Sequence, residues 1–328
     1  MSNWTLEELL EAPEHTVTTR RGHLQGVHYT GEPYHGKPTR VAAWMGVPEG
    51  PERSLPGMVL LHGGGGKAFA EWVELWNRRG YAAIAMDFGG MDLDGTPMDQ
   101  PGPSQDHEAK FDVAGGWENI WTCHAIAAAL RGHSLLATDP RVDPERVGVT
   151  GISWGGYLAC IVAGVDPRPA CAVPVYGCGH LEMGSTPVWM ERFHTMSEQD
   201  RTWWLEHCDP ASYLPGAEMP MLFVSGTNDF AYPLNILQAS LREVSGPASM
   251  CVRHEMQHGH AAGWNPVEIG LFADAHLRGT AGLPVLGEPT VEDGRVRATV
   301  ESDFEITRAE VLFTRAKGTW QDRRVNIL

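Results

Sequence analysis

The sequence predicts an α/β protein in which a mainly parallel central sheet is covered by helices on both faces. Two observations carry this. Between residues 57 and 277, short apolar runs of strand length alternate with segments of helical period, an order that requires a parallel sheet buried on both sides. In the middle of that series, the β-branched run Val147-Gly148-Val149-Thr150 enters Gly151-Ile152-Ser153-Trp154-Gly155 and leaves into a helical pattern that continues to Gly164. Strand, tight turn and helix in that order form the setting in which a serine hydroxyl is pushed out above a sheet.

The elements follow in chain order. Leu6 to Leu10 reads as a short helix, and residues 15–48 as alternating strands that form an antiparallel edge. Strands are then expected at 57–61, 82–87, 146–150, 171–176, 220–224 and 249–253, with helices at 68–79, 115–131, 155–164, 233–243 and 266–277 between and after them. The last helix carries Asn265 as expected N-cap, Pro266 at its first position and Glu268 two residues on. Two insertions interrupt the alternation. Residues 89–110 hold Asp92, Asp94, Asp99 and Asp106 among glycines and prolines, but Asp92-Leu93-Asp94-Gly95 lacks the further ligands of a calcium loop, so a solvated loop without metal is expected. Residues 179–214 fall at the carboxyl edge of the sheet, where open α/β sheets bind ligands, and should form a helical cap. After Pro284, Arg295 to Val300 and Ala309 to Thr314 alternate like strands. The expected organisation is a catalytic domain over 1–280, with its cap at about 179–214, and a partial β-sandwich-like module over 281–328. So thin a module leaves an exposed edge, which suits a partner surface or a homo-oligomer contact.

The glycines of the serine turn are there for steric reasons, since a Cβ at Gly151 or Gly155 would meet the neighbouring strand or helix. Ser153 then sits at a helix N-terminus, where the Trp154 amide and the helix dipole can stabilise an oxyanion. A carboxylate and a histidine should follow, each on a loop after a later strand. Asp229 ends the loop Ser225-Gly226-Thr227-Asn228-Asp229 and is the expected acid. Three histidines compete for the base in His254-Glu255-Met256-Gln257-His258-Gly259-His260. His260 is the expected one, because Gly259 frees the chain before it to fold back over the serine, with His258 and then His254 as alternatives. Upstream, a strand runs into His62-Gly63-Gly64-Gly65-Gly66, whose bare backbone can supply a second oxyanion amide from Gly64 or Gly65, with His62 organising the loop. Lys67 is followed by Ala68, so the ending of a nucleotide-binding P-loop is missing.

On these residues the chain resembles the α/β-hydrolase superfamily. Within it, Gly148 to Tyr157, Val173 to Gly179 and Gly226 to Pro233 resemble bacterial acetyl xylan esterases, close to the dienelactone hydrolase and prolyl oligopeptidase groups. The likeness spans roughly residues 40–325. It implies a serine esterase acting on small acyl esters, acetylated sugars among them, with no cofactor. Trp189, Trp203 and Trp204 in the cap would offer stacking faces to such a substrate; the alternative is that they hold the cap on the core. A prolyl oligopeptidase-like peptidase would share the triad, but only about 50 residues precede the core, too few for a propeller. Lyases can use the same constellation, and a non-catalytic binding protein would need none of it.

Composition sets the limits. With 328 residues, 42% of them hydrophobic, the chain can bury a large core. Its net charge of −16 disfavours nucleic acid and anionic membranes as partners. The six cysteines form no Cys-X-X-Cys pair and read as buried thiols, a Cys178–Cys208 bridge being the alternative. The N-terminal stretch is acidic without a continuous apolar run, so no signal peptide or membrane span is expected and a cytoplasmic location is.

Overall fold

Nine strands make one twisted sheet, and its middle is as apolar as the sequence requires. The computed structural model describes residues 6–315 and 326–327. After a short helix, α1 (Leu6–Leu9), the strands β1 (His15–Arg21), β2 (Leu24–Thr30) and β3 (Arg40–Gly46) run antiparallel to one another. Strands β4 (Leu55–Leu61), β5 (Ala82–Met86), β6 (Val142–Ile152), β7 (Ala172–Val175), β8 (Met221–Gly226) and β9 (Ala248–Arg253) follow. The spatial order is β1-β2-β3-β5-β4-β6-β7-β8-β9, and every pair from β5 to β9 is parallel. All residues of β4, β5, β7 and β8 are buried, as strands covered on both faces must be.

The covering helices fall on two sides of the sheet. One core contains α4 (Trp121–Ala137), α5 (Trp154–Val165) and α8 (Leu234–Glu243); the other contains α2 (Ala70–Arg78) and α10 (Val267–Arg278). The helix expected at 115–131 starts later, because Gly116 takes φ 75° and opens a short 3-10 turn, Trp117–Asn119, before α4 begins, and it runs on to Ala137. At α10 the cap is Pro266 rather than Asn265, and Val267 is the first helical residue. The Asn265 amide instead donates to the Ala262 carbonyl, so that residue closes the turn before the helix.

The first insertion carries the five-residue α3 (His107–Phe111), N-capped by Asp106, whose carboxylate accepts from the Ala109 amide at 2.8 Å. The second folds as a helical cap, with α6 (Pro187–Thr195) and α7 (Glu198–His207) among 3-10 turns. A four-residue helix, α9 (His260–Gly263), follows β9. Beyond α10, β10 (Val285–Leu286) pairs β13 (Val300–Glu301), β11 (Thr290–Glu292) pairs β12 (Arg295–Arg297), and β14 (Leu312–Phe313) pairs β15 (Asn326–Ile327). The sandwich expected there is absent among the described residues, where the strands form three separate antiparallel ladders with Val285, Leu286, Val291 and Val296 exposed. Positions 316–325 of that module lie outside the described residues.

All six cysteines are free thiols, so the Cys178–Cys208 bridge is not formed. No helix among the described residues is long and apolar enough to cross a membrane, and no group of three or more metal-ligating side chains occurs among them.

Candidate active site

Strand register assembles the site. Leu61 at the end of β4 lies beside Gly151 of β6, so the glycine loop after β4 and the serine turn after β6 emerge as neighbours. Gly226 at the end of β8 pairs with Arg253 of β9, which brings the Asp229 and histidine loops side by side. All four leave the carboxyl edge of the sheet, the edge at which such sheets carry their ligands.

The serine turn is tight in the manner expected. Ser153 adopts φ 57° and ψ −118°, a strained conformation for a residue with a side chain, at the N-terminus of α5. A Cβ on Gly155 would run into the Leu61 carbonyl, and one on Gly151 into the Gly155 carbonyl. The Ser153 amide donates to the Val175 carbonyl at 2.9 Å, which ties the turn to β7.

From the hydroxyl, a chain of hydrogen bonds leads to a carboxylate. His258 Nε2 lies 2.9 Å from Ser153 Oγ, and His258 Nδ1 lies 2.7 Å from Asp229 Oδ2. The other Asp229 oxygen accepts from the Ala231 and Tyr232 amides at 2.9 and 2.7 Å, so the buried carboxylate is held on both sides. Its position invites a proton on Nδ1 and leaves the Nε2 lone pair for the serine, the arrangement of a general base.

His258 therefore stands where His260 was expected. The expected mechanism for folding back, freedom at Gly259, is not used: that residue is extended, with φ −178° and ψ 157°. Residues on either side of an extended one project to the same side, and both histidines accordingly reach the site. His258 meets the serine. His260, the first residue of α9, reaches the glycine loop instead, where its Nε2 accepts from the Gly63 amide at 3.0 Å. Tyr176 secures this turn: its hydroxyl donates to the Gly259 carbonyl at 2.6 Å, and its ring stacks on His258 at 4.3 Å. His254, the third contender, is exposed.

The glycine loop passes against the nucleophile. A Cβ on Gly63 would stand 3.0 Å from the Ser153 Cβ, and one on Gly64 would stand 3.1 Å from the Trp154 ring. His62 organises the loop by donating from Nδ1 to the Gly63 carbonyl at 2.7 Å while its Nε2 accepts from the Phe88 amide at 3.0 Å. Burial lowers its pKa to about 3, so the ring is neutral and its tautomer fixed. Gln105 adds a bond from Nε2 to the Gly66 carbonyl at 3.0 Å.

The cap tryptophans divide. Trp189 is buried beside the serine turn, 4.7 Å from the Trp154 ring and 5.1 Å from that of Tyr232. Trp204 is fully buried, stacked on Phe111 and bonded through Nε1 to the Lys110 carbonyl, so it packs the cap and presents no face to a ligand. Trp203 stacks on His207 at 4.4 Å and lines a surface hollow with Glu198, Gln199, Thr202 and Glu206. Lys110, read from sequence as part of a solvated loop, is 1% exposed. Its ammonium lies 4.6 Å from the Trp121 ring and 5.2 Å from the Trp154 ring and donates to the Gln105 carbonyl. Nothing in its neighbours' residue types marks that burial in advance.

The sequence profile of the acetyl xylan esterase (AXE1) family matches residues 5–178, more than half of the chain and inclusive of Ser153. The chain belongs to the acetyl xylan esterase family. The prolyl oligopeptidase family profile matches residues 121–269, a range holding Ser153, Asp229 and His258 together. Both families are serine hydrolases, and this member of the acetyl xylan esterase family is one as well. In fold it is similar to the acetyl xylan esterase from Paenibacillus sp. R4, at 23% identity and a TM-score of 0.68, covering 83% of this chain and 92% of that one. Acetyl xylan esterase 1 from Thermoanaerobacterium sp. JW/SL YS485 is similar at 17% identity and a TM-score of 0.60, over 82% and 91% of the two chains. The acylaminoacyl peptidase of Pyrococcus horikoshii gives a TM-score of 0.59 at 17% identity, over 81% of this chain but 45% of its own. Over 108 residues the chain is also 29% identical to the uncharacterized peptidase YuxL of Bacillus subtilis (strain 168), a match spanning 30% of this chain and 16% of that relative.

Proposed function

We propose that this chain hydrolyses small acyl esters, acetyl esters of carbohydrates among them, through Ser153, His258 and Asp229. The observation that carries the reading is the hydrogen-bonded chain from the Ser153 hydroxyl through both nitrogens of His258 to Asp229. His258 takes the proton of Ser153 as the oxygen attacks the ester carbonyl, and Asp229 stabilises the imidazolium. The Trp154 amide and that of Gly64 or Gly65 hold the oxyanion. Of the loop amides, Gly63's is already given to His260, which leaves its successors for substrate. His258 then protonates the departing alcohol, and water repeats the cycle on the acyl-enzyme. Trp154, Trp189 and Tyr232 pack in series beside the serine turn and brace it under the cap.

A peptidase activity is the second reading, favoured by the prolyl oligopeptidase profile over all three residues. One experiment tests both. Hydrolysis of p-nitrophenyl acetate, butyrate and octanoate, acetylated xylo-oligosaccharide and a peptidyl p-nitroanilide is measured for wild type and Ser153→Ala. The expected result is serine-dependent release that favours acetyl, with no anilide cleavage. Serine-dependent anilide cleavage without ester turnover would replace the esterase reading by the peptidase one, and equal activity of Ser153→Ala would remove the serine from the mechanism.

A further inference from the structure

His258 accounts for the base, and a second histidine two residues later still has its ring in the site. His260 is half-buried, packed on the Phe69 ring at 4.8 Å, and its Nε2 faces the Gly63 amide at 3.0 Å. A backbone N–H can only donate, so that nitrogen must be unprotonated and the ring proton must sit on Nδ1. Gly63 is thereby held from both ends of its backbone, its amide by His260 and its carbonyl by His62. The fit is close on the next turn as well: a Cβ on Gly66 would stand 2.6 Å from His260 Nε2 and 2.7 Å from His62 Nδ1.

We propose that His260 is a positioning residue for the oxyanion loop: its unprotonated Nε2 fixes the Gly63 peptide and so aims the amides that follow it, and protonation of His260 releases the loop. This rests on the esterase reading given above. The consequence is chemical. An imidazolium at position 260 would set an N–H against the Gly63 N–H, and two donors cannot bond. Burial lowers the pKa of His260, and the neighbouring His258 adds to that. The titratable groups acting on the ring are thus His258 on its own turn and His62 across the loop. On the acid side, protonation of His260 then removes activity in addition to protonation of the catalytic base.

The test uses the full chain as wild type, His260→Phe and His260→Gln. Phenylalanine keeps the packing on Phe69 without an acceptor, whereas the glutamine amide oxygen can accept from Gly63. The expected outcome is a fall of about 10–100-fold in kcat on p-nitrophenyl acetate for His260→Phe, with KM within about threefold. An acetyl trifluoromethyl ketone, which places an oxyanion in the hole, should lose affinity by the same factor, and His260→Gln should recover most of both. In wild type, log kcat/KM at low pH should fall with a slope above one, and in His260→Gln with a slope of one. A wild-type acid slope of one, a phenylalanine variant with unchanged kcat, or a glutamine variant as impaired as phenylalanine would each overturn the proposal. The slope decides even where His260→Phe fails to fold. Fluorophosphonate labelling separates the two levels: a wild type that is not labelled at Ser153 sinks the esterase reading itself, whereas a labelled, active wild type with indifferent His260 variants sinks the positioning role alone.

Discussion

Two turns meet at Ser153, and they are held by different forces. The turn Gly151 to Gly155 is fixed by crowding: backbone of the first turn of α5 and of the end of β4 occupies the space where side chains would go. The turn His254 to His260 is fixed by polar side chains: Tyr176 on Gly259, His258 between Asp229 and Ser153, and His260 on Gly63. Crowding writes itself into sequence as obligatory glycine. A hydrogen-bonded turn leaves only residue types able to bond, and several of them can compete for one place.

The largest effect tests the second turn. His258→Ala should lower kcat on the order of 10⁴-fold or more, while His254→Ala leaves it within about twofold, since an exposed surface change rarely matters. Steady-state rates for the pair, with circular dichroism to confirm folding, are sufficient. Comparable losses in both variants would mean that the turn acts as a whole and that the hydrogen-bonded chain through His258 is not what drives turnover.

The next test turns to crowding. Gly155→Ala places a methyl group on the Leu61 carbonyl, backbone that cannot swing aside, so a cost of about 4 kcal/mol or more is expected, in the exceptional range for one substitution. Chemical denaturation reads it. A variant with wild-type stability would show that the serine turn has room, and the contrast between the two turns would collapse.

The legibility of the chain follows the same division. The strand series and the serine turn were readable because burial on both faces demands continuous apolar runs and because a turn without Cβ space demands glycine; the residues of β4 to β8 and Ser153 lie where those demands place them. The histidine bonded to Ser153 stands two residues before the one expected. His258 and His260 are chemically identical, and the extended Gly259 puts both on the same side, so only the partners decide between them: Asp229 and Ser153 for one, the Gly63 amide for the other. Lys110 is opaque for a related reason, since a short helix on an insertion can turn either face to the core, whereas Trp204 follows the packing alternative offered for the cap tryptophans. In the C-terminal ladders the pattern was right and the burial was not: Val291 and Val296 alternate like core valines yet are exposed, because two strands make no second face to cover them.

A smaller effect comes from Tyr176, the residue that joins β7 to the histidine turn. Tyr176→Phe keeps the ring on His258 and removes the hydroxyl that bonds the Gly259 backbone. The expected cost is about 1 kcal/mol of stability, typical of one hydrogen bond, with kcat lowered by a factor of roughly 3–30 as His258 loses alignment. Unchanged kcat would assign the alignment of His258 to Asp229 alone.

The smallest effect lies behind the crowded turn, where one polar group stands against the general rule that crowding is apolar. Lys110 is enclosed by the rings of Trp121 and Trp154, and burial lowers its pKa to about 7, with Asp106 opposing. An unfolded lysine titrates near 10.4. Between about pH 7 and 10 the unfolded chain therefore holds a proton that the folded chain has released. Stability rises with pH wherever the unfolded state binds more protons, so the lysine's cost is fully present below about pH 7 and fades as pH climbs toward 10. Other groups titrate in that window, and the useful quantity is the difference from Lys110→Met, which keeps the length and drops the charge. At pH 6 the methionine variant should be more stable than wild type by about 1 kcal/mol, and the difference should move steadily in favour of wild type from about pH 7 to 9 in parallel urea titrations. A gap that stays constant with pH would place the ammonium in contact with solvent or with a compensating charge, and the space behind the serine turn would then be less closed than its glycines imply.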